Sequence, residues 1–197
     1  ITGASTATAG NNNHGVLINS GARALTTGGG IAIAGTSGSG TASQAILLSG
    51  SPTGGVLTSA AGLAISGSGS IRADIGTQVQ ANGGPLTVTA TGLTSDVVLN
   101  GSLQASNSAL SITQNALSIS AGRDLLIASN AGITALGSGA IQLQAGRNLD
   151  LKVDDLGNSS ATSTFTAAGN LTVTAGQAIL RTDANNVDLA GSNVQVS

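Results

Sequence analysis

A short pattern repeats between Ala121 and Val153, and this repeat constrains the fold more than any other feature of the chain. AGRDLLI and AGRNLDL place Leu125 and Leu149 in the same position 24 residues apart, and AAGNLTV places Leu171 another 22 residues on. In each copy a glycine turn precedes two apolar residues separated by one residue, which is the alternation of a short β-strand. A strand that recurs at a nearly constant interval in the twenties predicts a solenoid.

Three series of mainly aliphatic residues keep this period along the chain and predict three strands per coil of about 23 residues. Such a chain is all-β, and its natural closure is a three-sided parallel β-helix, which is right-handed because parallel crossovers almost always are. The β-branched residues and the frequent Gly and Asn between apolar pairs argue against helices. The series are Val56, Val79, Leu103, Leu125, Leu149, Leu171, Val194; Leu63, Leu86, Leu110, Ile133, Leu156, Ile179; and Ile71, Leu93, Leu117, Ile141, Phe165, Val187.

The N-terminal coils follow the same rule with a longer repeat, since Val16 matches Ile46 at a distance of 30 residues. The added residues fall in two polar, uncharged segments, Gly3–His14 and Gly35–Gln44. We expect these segments to form two loops that leave the coil at the same corner and lie one above the other.

The three series run without a linker, so we expect one continuous solenoid. Residues 1–62 are predicted to form coils with projecting loops, and residues 63–197 a regular shaft. Both ends of the sequence fall inside strand patterns without a capping element. Because a free solenoid end exposes a sheet edge and a slice of core, we expect the chain to be part of a longer solenoid.

The composition restricts both the core and the functions open to the chain. Its 197 residues include one Phe and no Trp, Tyr, Met or Cys, yet 40% are hydrophobic, so the core must be a thin stack of aliphatic layers. Charged residues are 7% of the chain and the formal net charge is −2, which argues against nucleic-acid binding. No apolar run approaches the roughly 18 residues of a spanning helix, so membrane insertion is not expected.

Asp150, Lys152, Asp154 and Asp155 form the densest group of charges. Clustered carboxylates can bind Ca²⁺ or act as acid and base on a polysaccharide, so these aspartates are the strongest enzyme candidates. However, Asp150 and Lys152 alternate on one outward face, and Asp154 and Asp155 begin a turn, so a solvated face explains the same residues. The sequence therefore predicts no catalytic, cofactor-binding or metal-binding residue.

Other polar residues are expected to be structural. His14 is the single histidine, in an Asn-rich loop, and the chain offers it no second His or Cys for metal binding or triad chemistry. Arg123 and Arg147 belong to the turn of the repeat. Three local surface ion pairs are predicted: Arg72 with Asp74, Arg123 with Asp124, and Arg181 with Asp183.

Thr-x-Thr occurs at Thr87/Thr89 and at Thr172/Thr174. The three series place these two pairs on different ladders. A flat threonine face of the kind that binds ice is therefore not expected.

AGRDLLI, AGRNLDL and AAGNLTVTAG resemble the filamentous-haemagglutinin type of repeat in large bacterial exoproteins exported by two-partner secretion. The resemblance covers roughly Leu63 to Ser197, and GNNNHGVLINSGA resembles repeats of related giant adhesins. It implies a right-handed β-helical shaft, secreted to a bacterial cell surface, that serves attachment, biofilm formation or presentation of a distal domain. Host or bacterial surface glycans or proteins are the implied partners, without a cofactor.

The leading hypothesis is a non-enzymatic adhesin shaft whose contacts are made by the loops Gly3–His14 and Gly35–Gln44. One alternative is a carbohydrate-active enzyme, a polysaccharide lyase or hydrolase, that uses Asp150, Asp154 and Asp155. Another is a filament-forming subunit whose open ends stack between chains. Depolymerisation assays with and without Ca²⁺ distinguish the enzyme from the other two.

Overall fold

The computed structural model describes residues 1–40, 42–49, 55–107, 109–128, 131–151, 163–180, 187–191 and 193–197. Within these residues the chain forms twenty-two short β-strands in three parallel sheets and no helix. Successive strands belong to sheets I, II and III in strict rotation, and each strand pairs in parallel with the strand of the same sheet in the next coil. The predicted all-β, three-sided parallel β-helix is therefore confirmed.

Sheet I contains β1 (Thr2–Ala4), β4 (Ile31–Thr36), β7 (Leu63–Gly67), β10 (Leu86–Ala90), β13 (Asn115–Ala121), β16 (Ala140–Ala145), β19 (Leu171–Ala175) and β22 (Val194–Val196). Sheet II contains β2 (Val16–Ile18), β5 (Ile46–Leu48), β8 (Ile71–Ala73), β11 (Val97–Leu99), β14 (Leu125–Ile127), β17 (Asn148–Leu151) and β20 (Ala178–Leu180). Sheet III contains β3 (Arg23–Leu25), β6 (Val56–Ser59), β9 (Gln78–Ala81), β12 (Ser102–Asn107), β15 (Gly132–Gly137), β18 (Ser163–Ala167) and β21 (Val187–Ala190).

The core is a stack of aliphatic layers. In sheet I the inward residues Leu63, Leu86, Leu117, Ile141 and Leu171 pair in register from coil to coil and are at most 1% exposed. Neighbouring strands lie about 4.8 Å apart, so each layer covers the apolar side chains of the next. One cluster of buried residues runs from Val16 to Val173 without a break.

The strand register corrects the third copy of the repeat. Leu125 pairs with Leu149 in sheet II as predicted, but Leu149 then pairs with Ile179. Leu171 instead pairs with Ile141 in sheet I. The true third copy is therefore AGQAIL, from Ala175, and not AAGNLTV. The prediction failed because a glycine followed by alternating apolar residues precedes strands of more than one sheet.

The even period of about 23 residues is wrong in detail. In sheet I the step from Leu86 to Leu117 is 31 residues, from Leu117 to Ile141 it is 24, and from Ile141 to Leu171 it is 30. Longer coils therefore also occur within 63–197. Pairing fixes the strands, whereas the turns between sheets can take up extra residues.

Each predicted series consequently changes sheet along its length. The first follows sheet III as far as Leu103, then passes to sheet II at Leu125 and to sheet I at Leu171. Val56 is one residue out of register, because Leu57 pairs with Val79.

Two further members of the predicted series, Leu93 and Leu156, are not found in the core of the described structure. Leu93, expected to point inward, is 89% exposed in a turn. Leu156 lies outside the described residues. In the part of the chain that the structure describes, no helix is long and apolar enough to cross a membrane.

Candidate functional site

The corner at which the chain passes from sheet I to sheet II carries most of the polar chemistry in the described residues, and we call it the I/II corner. Both N-terminal loops leave the solenoid here, because they connect β1 to β2 and β4 to β5. The turns that carry Asp96, Arg123, Asp124 and Arg147 connect later strands of the same two sheets.

Stacked glycines allow the turns of this corner to approach closely. Gly92, Gly122, Gly146 and Gly176 follow one another in successive coils, and a Cβ added to any of the last three would collide with the carbonyl oxygen of the preceding glycine. The Gly146 and Gly176 amides donate hydrogen bonds to Ala121 and Ala145, at 3.0 and 3.1 Å. Backbone therefore packs directly on backbone along this edge.

Arginines and aspartates alternate along the I/II corner and form a ladder of ion pairs. The Arg123 guanidinium binds the Asp96 carboxylate of the preceding coil through two nitrogens, with Nε 2.7 Å from Oδ1. Arg147 binds Asp124 in the same way, with Nε 2.8 Å from Oδ1. Arg123 also lies 3.6 Å from Asp124, so the four groups form one connected series across three coils.

The carboxylates also bind the backbone of the next coil. Asp96 Oδ1 accepts the Asp124 amide at 3.2 Å, and Asp124 Oδ1 accepts the Asn148 amide at 3.1 Å. Each aspartate thus satisfies a guanidinium and a main-chain N–H of the following coil. Bidentate charge-assisted bonds of this kind fix the position of one turn on the next.

The ladder shifts the pKa values of Arg123, Asp124 and Arg147. The pKa of Asp124 is lowered, first by the hydrogen bond from Arg147 and then, against the cost of burial, by the Asn148 amide and the charges of both arginines. The pKa of Arg123 is raised, chiefly by its hydrogen bond to Asp96 and by that carboxylate's charge. The described charges here are paired with one another, which suits a structural role better than acid–base catalysis.

At the end of the ladder, the aspartate position and the arginine position that follows it both hold uncharged residues. In the coil after Asp124 the carboxylate position holds Asn148, and the next arginine position holds Gln177. Before the ladder the corresponding pair is Ser70 and Ser95. Among the described turns that lead into sheet II, this position holds aspartate only where the following coil supplies arginine, so the two positions act as a unit.

We expect the Asp124–Arg147 pair to contribute to stability in a pH-dependent way. A carboxyl group whose folded pKa is depressed stabilises the fold above its unfolded pKa of about 3.9, and this contribution is lost as pH falls through the folded value. The double variant Asp124→Asn/Arg147→Gln copies the residue pair of the next coil. Its urea midpoint should lie below that of the unsubstituted chain at pH 7, and the gap should close between about pH 5 and pH 2. A gap that stays constant over this range would contradict the assignment.

The two N-terminal loops lie one above the other, as predicted. Their backbones exchange hydrogen bonds: Ser5 donates to Thr36, Gly38 to Asn13 and Ser39 to Ala7, each at 3.0 Å. A Cβ on Gly40 would collide with the carbonyl oxygen of Gly10 in the loop below, and Gly40 has a φ of +126° that only glycine adopts readily.

Asn13 and His14 hold the two loops together. The Asn13 side-chain amide donates to the carbonyl oxygens of Ala9 at 3.1 Å and Ser39 at 2.6 Å. His14 Nδ1 accepts the Gln44 amide at 3.1 Å. The half-buried His14 thus joins one loop to the other, which fits the structural role expected from the sequence.

The structure places only one of the candidate catalytic carboxylates. Asp150 lies at the centre of β17, on the outer side of sheet II between Leu126 and Leu180. It is only 9% exposed, so the solvated position expected for this residue is wrong. Lys152, Asp154 and Asp155 lie outside the described residues. Among the described residues no group of three or more His, Cys, Asp or Glu side chains could hold a metal ion.

The predicted ion pairs are partly confirmed. Arg72 Nε lies 2.6 Å from Asp74 Oδ1, as expected. Arg123 does approach Asp124, but its closer partner is Asp96, 27 residues away. Arg181 and Asp183 lie outside the described residues.

Thr87/Thr89 and Thr172/Thr174 lie on the same sheet, contrary to the prediction. All four side chains face outward from sheet I. They are separated in register by Ser118/Ser120 and Gln142/Gln144, so the threonine pattern is interrupted although the sheet is shared.

Comparison of the chain with protein-family models, curated proteins and solved structures finds no match.

Proposed function

We propose that this chain is a shaft segment of a secreted bacterial surface adhesin, which holds a contact surface at a distance and performs no catalysis. The continuous core carries this proposal. It links all three sheets through successive coils, and the eight strands of sheet I alone span about 34 Å at about 4.8 Å per strand. A stack of this kind transmits load through parallel hydrogen bonds and buried aliphatic layers.

The stacked loops supply the contact surface in this proposal. They are polar and uncharged, with exposed hydroxyl side chains at Thr6 and Thr8, and their bases are held by Asn13 and His14. A rigid base reduces the entropy lost when a ligand binds. Surface glycans or proteins with neutral hydrogen-bonding groups are the partners that suit these loops.

The cell surface offers a direct test. Antibodies raised against the 197-residue chain should label intact, non-permeabilised cells of the organism that encodes it, and disruption of the gene should reduce attachment to host cells or to other bacteria. Labelling only after permeabilisation would overturn the proposal.

Variants of the loops test whether attachment depends on the loops or on the outer face of the shaft. Thr6→Ala/Thr8→Ala should reduce attachment, whereas the matched control Thr134→Ala/Thr166→Ala on the outer face of sheet III should not. The purified chain should leave neutral and acidic polysaccharides intact with or without Ca²⁺. Depolymerisation that is lost in Asp150→Asn would favour the carbohydrate-active enzyme instead.

A further inference from the structure

The outer face of sheet I is uncharged along its whole described length. None of its eight strands contains a Lys, Arg, Asp or Glu, although the chain carries six basic and eight acidic residues. The two central outward positions of each strand from β4 to β19 hold only Ala, Ser, Thr and Gln. A sheet face of small neutral side chains presents no like charges that would oppose the approach of a second copy.

The outward residues form two columns in strict register. One column is Ala32, Ala64, Thr87, Ser118, Gln142 and Thr172, and the other is Ala34, Ser66, Thr89, Ser120, Gln144 and Thr174.

Side-chain size varies along these columns. The smallest side chains lie in β4 and β7, and the largest, Gln142 and Gln144, lie in β16. Next to the small residues the surface has a hollow of about 270 Å³ that is lined by Ala34, Ser66 and Ser68, among others. Gln144, in the sixth of the eight strands, is exposed, whereas Gln142 is half-buried and accepts a hydrogen bond from the Asn115 side-chain amide at 2.6 Å. The same face therefore carries a recess and a projection.

A two-fold axis that runs along the strands brings these features together. Rotation about an axis between β10 and β13 places β7 opposite β16 of a second copy, β10 opposite β13, and β4 opposite β19. Gln142 and Gln144 then face Ala64 and Ser66. A two-fold axis along the stacking direction would instead place glutamine against glutamine and alanine against alanine.

We propose that this face is an isologous interface at which a second copy of the chain packs with its coil order inverted. Gln144 of β16 lies over the recess at Ser66 of the partner's β7, and this contact occurs twice by symmetry. The two sheets pack face to face at about 10 Å, the usual separation of stacked sheets.

The size of the face sets the expected strength of the pairing. Six strands at about 4.8 Å, each about five residues long at about 3.3 Å per residue, give about 500 Å² per copy and about 1,000 Å² in total. This area is at the lower bound for a specific interface, so we expect a reversible dimer with a dissociation constant of about 1–100 μM. Lateral pairing of this kind would join two shafts side by side, which goes beyond the proposed attachment role.

Sedimentation velocity between about 1 and 300 μM tests the pairing, and a charge exchange tests its register. Ser66→Glu and Gln144→Lys should each weaken dimerisation about tenfold or more, because each places an unpaired charge in the interface. The double variant Ser66→Glu/Gln144→Lys brings the introduced carboxylate of one copy opposite the introduced ammonium group of the other, twice by symmetry, and should restore affinity to within about threefold. Thr134→Lys on sheet III is the matched control and should leave the dimer unchanged.

Two results would overturn the proposal. One is a chain that remains monomeric up to about 300 μM, well above the expected dissociation constant. The other is a dimer whose affinity is not restored in the double variant, since this would exclude the inverted register. Circular dichroism of each variant establishes that the fold is retained. Neither result bears on surface labelling, so the pairing and the adhesin role can fail separately.

Discussion

Replacing Gly146 by alanine should lower the free energy of unfolding by about 2–4 kcal/mol, in the upper range for overpacking a rigid site. The added Cβ would meet the carbonyl group of Gly122 in the coil below, with the carbonyl carbon at 2.9 Å and its oxygen closer still. Because these atoms are backbone, no side chain can rotate to make room. The coil must either separate from its neighbour or lose the hydrogen bond from Gly146 to Ala121.

Gly132→Ala is the matched control, since this glycine also lies in the solenoid but has space around it. The nearest atom to its added Cβ is the Ser102 hydroxyl oxygen at 3.8 Å, an ordinary contact. Its stability should be unchanged or higher by about 0.4–1 kcal/mol, because alanine restricts the unfolded chain. Urea titrations followed by circular dichroism compare the two midpoints. Equal urea midpoints would show that the absence of a Cβ at Gly146 is not needed for the close approach of the coils.

The fold could be predicted from sequence because the period-2 alternation is local. A strand such as Leu86–Ala90 buries every second residue whatever coil it belongs to, and many such strands in an aromatic-poor chain leave few alternatives to a solenoid. The register could not be predicted in the same way. It depends on how many residues each turn contains. The turn between β12 and β13 contains surplus residues, and the register is irregular between Asn115 and Leu117 but regular from Leu117 to Ala121.

The ion-pair ladder shows the same limit at the candidate site. The sequence predicts a local pair because Asp124 follows Arg123, but the bidentate partner of Arg123 is Asp96 in the preceding coil. The signal that could have located it is positional. Asp96, Asp124 and Asn148 each immediately precede the first inward residue of a sheet II strand. Alignment by sheet rather than by a fixed period would have placed them in one column.

The loops at the I/II corner were predictable for a different reason. Their polar, glycine-rich composition interrupts the apolar alternation in two consecutive coils, and equal positions in consecutive coils must stack. The roles of Asn13 and His14 were not evident, because a single Asn or His in a loop carries no signal of its partner. Their hydrogen bonds depend on the path of the second loop.

Replacing Phe165 by alanine should lower the free energy of unfolding by about 3–5 kcal/mol. We expect this to be the largest effect of any single core substitution. Phe165 is the single aromatic residue of the chain and is completely buried, with its backbone paired to Ile133 below and Leu189 above. Truncation removes most of a layer in a core that is otherwise aliphatic. The strands on both sides are tied to their own coils by main-chain hydrogen bonds, so they cannot collapse fully into the space.

Two more conservative substitutions provide reference values for the destabilisation by Phe165→Ala. Phe165→Leu retains much of the volume and should cost less than about 1.5 kcal/mol, while Ile133→Val in the coil below should cost about 0.5–1.5 kcal/mol. Because each coil contacts only its neighbours, amide exchange in Phe165→Ala should accelerate in β15 and β18 but remain slow in β7 and β10. A uniform acceleration along the whole chain would mean that the solenoid unfolds as one cooperative unit. If Phe165→Ala destabilises the fold no more than Phe165→Leu does, the aromatic ring is not needed to fill this layer of the core.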